Sequence, residues 1–327
     1  MQKNNKKIPL YQVRNFGDKI SATFDFLRQN WRLWLQLSCY LLLPVCMLQA
    51  FAINAMMSGF IEGGLLADSM GDMMPAELQD GAGYLLSYLS MLFFSSVGGV
   101  IVTAIIYAMM IYDREHPEGL QDVSFRNLKD LLLRCMGRST ILMIIWILLT
   151  LVYVILMALS AMASLWFMLV GVLLLFFLAI ALVHSLPVYI FENDTTAFGA
   201  IGRGFQLGLL TWGGTFLLML VVGLLASVVQ GVLSAPWYVG IMVKMIFMVG
   251  DGDSSAVSSV GYSFLMYILA VLQSFGTFLT AAFSVTALAY QYGSAAEQRD
   301  HISVDEDIER FEEMMGGGDE IANFENL

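Results

Sequence analysis

The stretch from Ser139 to Phe191 holds 53 residues without a single Asp, Glu, Lys or Arg. As one helix rising about 1.5 Å per residue it would run roughly 80 Å, against a hydrocarbon core of about 30 Å. It must therefore fold back on itself as two spans. The small residues Ser160, Ala161, Ala163 and Ser164 mark the turn, and Trp166 just beyond it is placed as an interfacial anchor. A chain with such a segment is a polytopic membrane protein.

Four further apolar runs complete the pattern. They are Leu33 to Met57, with Pro44 inside it, Tyr84 to Tyr112, Leu209 to Leu233 and Tyr262 to Tyr290. The predicted fold is all-α, a transmembrane bundle of six spans. The polar piece from Gly59 to Ala82 is predicted as a loop. Ser234 to Gly261 is expected to lie at the surface or dip in partway, because its apolar core, Ile241 to Val249, is too short to cross as a helix. Ser95 with Gly99, Gly223 with Ser227 and Gly231, and Gly276 with Thr280 and Ser284 repeat at four-residue spacing, the pattern of close helix approach. The last two sets are expected to face each other.

Lys and Arg placement orients the bundle. With the N-terminus in the cytoplasm, 15 of the 16 cationic residues fall on the inner side, and only Lys244 lies outside. The expectation is a multi-pass protein of a bacterial cytoplasmic (inner) membrane with both termini cytoplasmic. Phe16, Ile20, Phe24, Leu27, Trp31 and Trp34 form one helical stripe ahead of the first span. It suits either a helix lying in the membrane interface or a helix packed on the protein's own spans. A second amphipathic helix, basic and capped by Ser124, precedes span three. The piece from Gly199 to Gly208 precedes span five. The domain reading is residues 1–292 as the membrane domain and 293–327 as an acidic tail. Ser303 and Glu306 form a capping box there, and Val304, Ile308, Phe311 and Met315 form an apolar stripe.

The chain's net charge of −11 resides mostly in that tail, which carries −9 from Gly293 onward. Acidity argues against nucleic-acid binding. The three cysteines show no metal-ligand or redox spacing, and Cys39 and Cys46, seven apart, are expected on one helix face. No metalloprotease, nucleophile-elbow or phosphate-loop motif is present, so no cofactor, metal or catalytic residue is predicted. Among the histidines His184 stands out, lying near the inner end of span four, since ionisable groups at membrane depth are functional suspects. Gln49, Gln230 and Gln273 are read mainly as hydrogen-bonding bridges between helices. Glu192 and Arg203, flanking the connection between spans four and five, are predicted to form an ion pair that clamps the interfacial helix.

The same connection reads Pro187, Glu192, Ala200, Arg203, Gly204, Phe205, Leu207 and Trp212. It resembles a motif of bacterial polytopic proteins similar to the membrane domain fused to some glycerophosphoryl diester phosphodiesterases, with Gly204 where those carry Ser. The resemblance implies a membrane module that handles lipid, anchors a partner or organises an assembly, and it brings no enzymatic domain with it. The functional expectation is a non-enzymatic scaffold or accessory unit whose partners are membrane lipids and a protein engaged through the acidic tail. The alternative is a transporter or lipid-translocating protein. Spans without Asp, Glu, Lys or Arg make side-chain ion coupling hard to build.

Overall fold

The computed structural model describes residues 7–69, 77–116, 118–120, 123–249, 257 and 259–302. These residues form nine helices and no strand. They are α1 (Phe16–Gln29), α2 (Trp31–Ser69), α3 (Glu77–Glu115), α4 (Phe125–Ala163), α5 (Leu165–Leu182), α6 (Ser185–Phe191), α7 (Ala197–Leu210), α8 (Trp212–Val249) and α9 (Val260–Asp300). Six helices, α2, α3, α4, α5 continued by α6, α8 and α9, are long and apolar enough to cross a membrane. The chain is thus an all-helical, multi-pass membrane protein, with α1 and α7 as short helices beside the spans. One end of the bundle carries the N-terminal segment, the start of α4 and the end of α9, and is called the basic end below.

The hairpin turn falls where the small residues place it. The α4 helix ends at Ala163, Ser164 is extended, and its hydroxyl accepts from the Trp166 amide to start α5. Two segments differ from expectation, the loop predicted after Met57 and the surface piece predicted after Leu233. The α2 helix continues past Met57 to Ser69, and α3 begins at Glu77, so most of the polar piece is helical. The α8 helix runs unbroken through Pro236 to Val249. A proline removes one helical hydrogen bond, and here tertiary contacts outweigh that loss. Trp237 is buried and donates from its indole nitrogen to Asn54 Oδ1 at 3.1 Å, Ile241 is buried, and the Tyr262 hydroxyl donates to the Gly240 carbonyl. The basic segment after Ser124 is likewise no separate helix but the first part of α4. The α9 helix passes through the 292/293 boundary to Asp300, with Tyr292, Ser294, Ala295 and Ala296 buried. The capping box and stripe of the tail lie outside the described residues.

The core lies between α2, α3 and α9. Ala104, Ile105, Ile106, Tyr107, Ala108 and Met109 are fully buried on α3, as are Leu42 and Cys46 on α2. Of the two α2 cysteines, Cys46 is buried and Cys39 exposed, so packing covers the helix at Cys46 and not at Cys39. Glycines set three close approaches. A Cβ at Gly98 would sit 2.1 Å from the Phe278 ring, and one at Gly208 would sit 1.8 Å from the Ala181 carbonyl oxygen. One at Gly204 would lie 2.5 Å from the Ser185 Cα, so the residue that departs from the motif's Ser is the one that lets α7 lie backbone to backbone on α6.

The small-residue ladders sort differently from expectation. Gly276 faces Leu233 and Gln230 of α8, and Gln230 bonds Thr277 at 2.8 Å and Thr280 at 3.3 Å. Gln230 therefore bridges α8 and α9, also donating to the Gln273 backbone carbonyl at 3.4 Å, whereas the Gln273 side-chain oxygen is buried with no hydrogen bond among the described residues. Gly223, Gly231 and Gly99 face open space. The seam uses the α9 ladder and a glutamine, and the α8 glycines lie to one side of it.

The α1 stripe packs on the protein's own helices. Phe24 and Trp34 flank Phe283 of α9, at 5.2 and 6.3 Å between ring centroids, and Ile20 packs with Leu218 and Ala287. The buried face is centred on Ala22, Thr23, Phe26 and Leu27, so Phe16 sits at its edge. Asn30 ends α1, and Trp31 starts α2 with half its surface exposed.

Candidate functional site

The densest polar constellation in the described residues is at the basic end, around the α6–α7 turn. Pro187 sits in the first turn of α6, where its missing N–H costs nothing, and is buried. Thr196 caps α7 by accepting from the Gly199 amide at 3.2 Å. Ala200 and Leu207 are wholly buried against the neighbouring helices. This leaves Arg203 on the same side as the Glu192 carboxylate that ends α6.

Arg203 Nε lies 2.7 Å from Glu192 Oε1, an ionic contact without an aligned hydrogen bond. The other end of the guanidinium donates to Asp300 Oδ2 at 2.8 Å. Glu192 also accepts from the Tyr292 hydroxyl at 2.8 Å and from the Thr195 hydroxyl at 3.3 Å. Arg299 lies 3.7 Å from Asp300 and donates to Gln206 Oε1 at 2.9 Å. Two carboxylates and two guanidiniums thus balance to zero charge in a network linking α6, α7 and the last turn of α9. Each exposed pair is worth at most about 1 kcal/mol, so the network acts by tying elements together.

Two further arginines and a lysine extend the network by capping helix ends. Arg138 donates to the carbonyls of Tyr189 at 2.7 Å and Glu192 at 3.1 Å, and to that of Asn193, with its guanidinium 4.8 Å from the Tyr189 ring. Arg134 donates to the Asn193 side chain. Both place positive charge at the C-terminal end of α6, where the helix dipole favours it. Lys7 does the same for α3 by donating to the carbonyls of Arg114 and His116 at 3.2 and 3.1 Å.

Aromatic rings run beneath this polar layer. Tyr107 lies 5.1 Å from Phe191, Phe191 stacks on Tyr292 at 5.7 Å, and Tyr292 meets Tyr11 at 6.2 Å, joining α3, α6, α9 and the N-terminal segment. The N-terminal segment is locked over α9 by Arg14. Its backbone amide donates to Ser294 Oγ at 3.2 Å, and its guanidinium lies 4.9 Å from the Tyr290 ring and donates to the Leu10 carbonyl at 3.1 Å. Burial pulls the Arg14 pKa below its ordinary value, while Tyr290 and Asp18 pull it up. Lys19 is lowered first by burial and then by the Arg14 charge.

The structure therefore brings Pro187, Glu192, Ala200, Arg203 and Leu207 into one unit. Trp212 closes its far side by donating to the Phe177 carbonyl at 3.2 Å and stacking on Phe177 and Phe216. His184 lies at the break between α5 and α6, fully buried, with neither ring nitrogen hydrogen-bonded among the described residues. Tyr292, Asp300, Arg138 and Arg14 escaped the sequence reading. Their only signal was polarity at the boundary of an apolar run, and their partners are distant in the chain. A separate recess of about 90 Å³, lined in part by Asn54, Lys244, Tyr262, Ser263 and Met266, lies where α2, α8 and α9 meet at the other end of the bundle. Among the described residues no three His, Cys, Asp or Glu side chains gather as metal ligands. Comparison with protein-family models, with curated proteins and with solved structures found no match.

Proposed function

We propose that this chain is a non-enzymatic scaffold or accessory module of a bacterial cytoplasmic membrane, with its basic end and both termini in the cytoplasm. The observation that carries the reading is the network from Arg134 and Arg138 through Glu192 and Arg203 to Asp300. It joins four helices into a rigid platform at the point where the acidic tail leaves α9. Its titratable groups are spent on one another and on helix ends, which suits a presenting surface better than a reacting one. The tail beyond Ile302, with nine acids against one arginine, is the recruiting element for a protein partner. Lipid surrounds the spans. The test is capture of a partner by the full-length protein in native membranes, compared with a chain ending at Ile302. Equal capture by both overturns the reading.

A second reading, lipid handling, is favoured by one feature. The α5 and α8 helices touch through Phe176 on Phe216 and Phe177 on Trp212, and Leu169, Val170 and Leu173 of α5 and Leu224, Leu225 and Val228 of α8 are exposed. These exposed apolar side chains would contact an acyl chain of the bilayer. Transfer of labelled phospholipid between leaflets of reconstituted vesicles, above the rate in protein-free vesicles, decides in its favour. The resemblance to phosphodiesterase-linked membrane domains accords with either reading.

A further inference from the structure

We propose that the acidic tail docks on its own chain, on the exposed basic face at the start of α4. The inference rests on the recruiting role given to the tail above and supplies its regulation, because a docked tail is withheld from a partner. Three observations lead there.

The first is where the tail begins. The α9 helix ends at Asp300, held by Arg203, and His301 takes the left-handed conformation that turns the chain off the helix axis. From Asp300 an unbroken series of contacts runs through Arg203 and Glu192 to Arg138 and, at Asn193, to Arg134. The α4 face is thus the neighbouring surface.

The second is charge. From Phe125 to Arg138 the buried side of α4 is Leu128, Leu132 and Cys135. Its outward side carries Arg126, Lys129 and Arg134 against the single acid Asp130, with Leu133 exposed between them. Residues 303–327 carry nine acids and one arginine. Six of those acids, Asp305, Glu306, Asp307, Glu309, Glu312 and Glu313, fall in the first eleven residues, interleaved with Ile308 and Phe311. An apolar side chain beside acids suits a basic face with one exposed leucine. The α1 alternative is weaker, because Asp18 and Asp25 cancel its Lys19 and Arg28.

The third is reach. Residues 303–313 alone extend to about 36 Å at roughly 3.3 Å per residue, and Arg126 lies about 12 Å along α4 from Arg134. Tethering holds the tail at an effective concentration in the millimolar range, so modest attraction suffices.

A carbodiimide, which joins a lysine amine to a carboxylate already in contact with it, tests this on the full-length protein in phosphatidylcholine nanodiscs. The expected product links Lys129 to a carboxylate within residues 305–313. Its yield should fall at least about threefold between 0.05 and 0.5 M salt, as screening shortens the reach of the charges. It should fall at least about fivefold in Arg126→Glu/Arg134→Glu, which keeps both reactive groups. Because Arg134 also holds Asn193, Arg126→Glu alone is measured alongside, with an expected loss of about twofold. Absence of the Lys129 product overturns the docking, as does a yield indifferent to both variants. Adding 30% phosphatidylglycerol separates the tail from lipid as occupant. Loss of the product there shows that anionic headgroups compete for the same face. Its persistence shows that the tail holds the face against them, and either outcome supports the site. Tail-dependent partner capture without the Lys129 product would leave the recruiting role standing and remove only the docking.

Discussion

The helices α2, α3 and α9 and the hairpin of α4 and α5 are all apolar enough to cross a membrane, the hairpin the more so, and they end in opposite circumstances. In the most apolar eighteen residues of α3, 39% are buried within the protein, and in α2 and α9 33%, while in α4 and α5 the figure is 6%. From Ile147 to Ser160 the α4 side chains are exposed apart from Tyr153, Met157 and Ser160. Two of those three turn to α5, the Tyr153 hydroxyl donating to the Gly171 carbonyl and Met157 lying on Gly171. The difference teaches what packs helices when lipid is the solvent. Burial gains nothing from hydrophobicity there, so close contact requires small residues, polar bridges or stacked rings. The core has Gly98 under Phe278, the Gln230 bridges and the Tyr107–Phe191–Tyr292 rings, whereas the hairpin is Leu, Val and Phe on nearly every face.

Four experiments would break or sharpen this contrast. The largest effect is expected at the root of the hairpin. Gly208→Leu drives a side chain into the Ala181 carbonyl and must separate α7 from α5, so little monodisperse protein should survive detergent extraction. Gly223→Leu, facing open space, should leave the yield unchanged, and equal losses at both would contradict the packing described. Next comes truncation. Ile105→Ala in the core should cost about 2–4 kcal/mol through lost contacts, whereas Leu156→Ala on the hairpin should cost less than about 0.5. Both are read from unfolding midpoints in a mild denaturing detergent.

Glu192→Lys and Arg203→Glu should each cost about 1–2 kcal/mol. Their combination should recover part of the loss but not all, because Tyr292 and Asp300 keep their original partners' geometry. Silent single reversals would mean that the network does not tie α6 to α7. The smallest effect belongs to Tyr153→Phe, which removes a hairpin hydrogen bond worth about 0.6 kcal/mol in a membrane. A larger loss would show that the hairpin is held from outside more firmly than its exposure suggests.

Much of the candidate site lay within sight of the sequence, and its limits are instructive. Glu192 and Arg203 are close in the chain, and Pro187, Ala200 and Leu207 share their local periodicity. The α6–α7 turn could thus be read without a fold. Asp300 and Tyr292 are a hundred residues away from their partners, and nothing local marks them. Arg14 looked like one more inner-side cation, yet it is buried over Tyr290. His184 could be placed near the end of its span from hydropathy, but its complete burial at a helix break depends on the elements packed round it.

The amino-acid pattern alone determined that six apolar helices cross a membrane and that two of them turn back at Ser164, because transfer of each segment into lipid depends on its own residues. It could not say where helices stop outside the hydrocarbon. Pro236 is tolerated inside α8 because of what lies beside it, as Trp237 on Asn54 illustrates. Nor could it decide which faces meet. Gly223 and Gly276 look equivalent in the sequence, but only Gly276 has a neighbour, since close approach belongs to pairs of surfaces and is settled when the whole bundle packs.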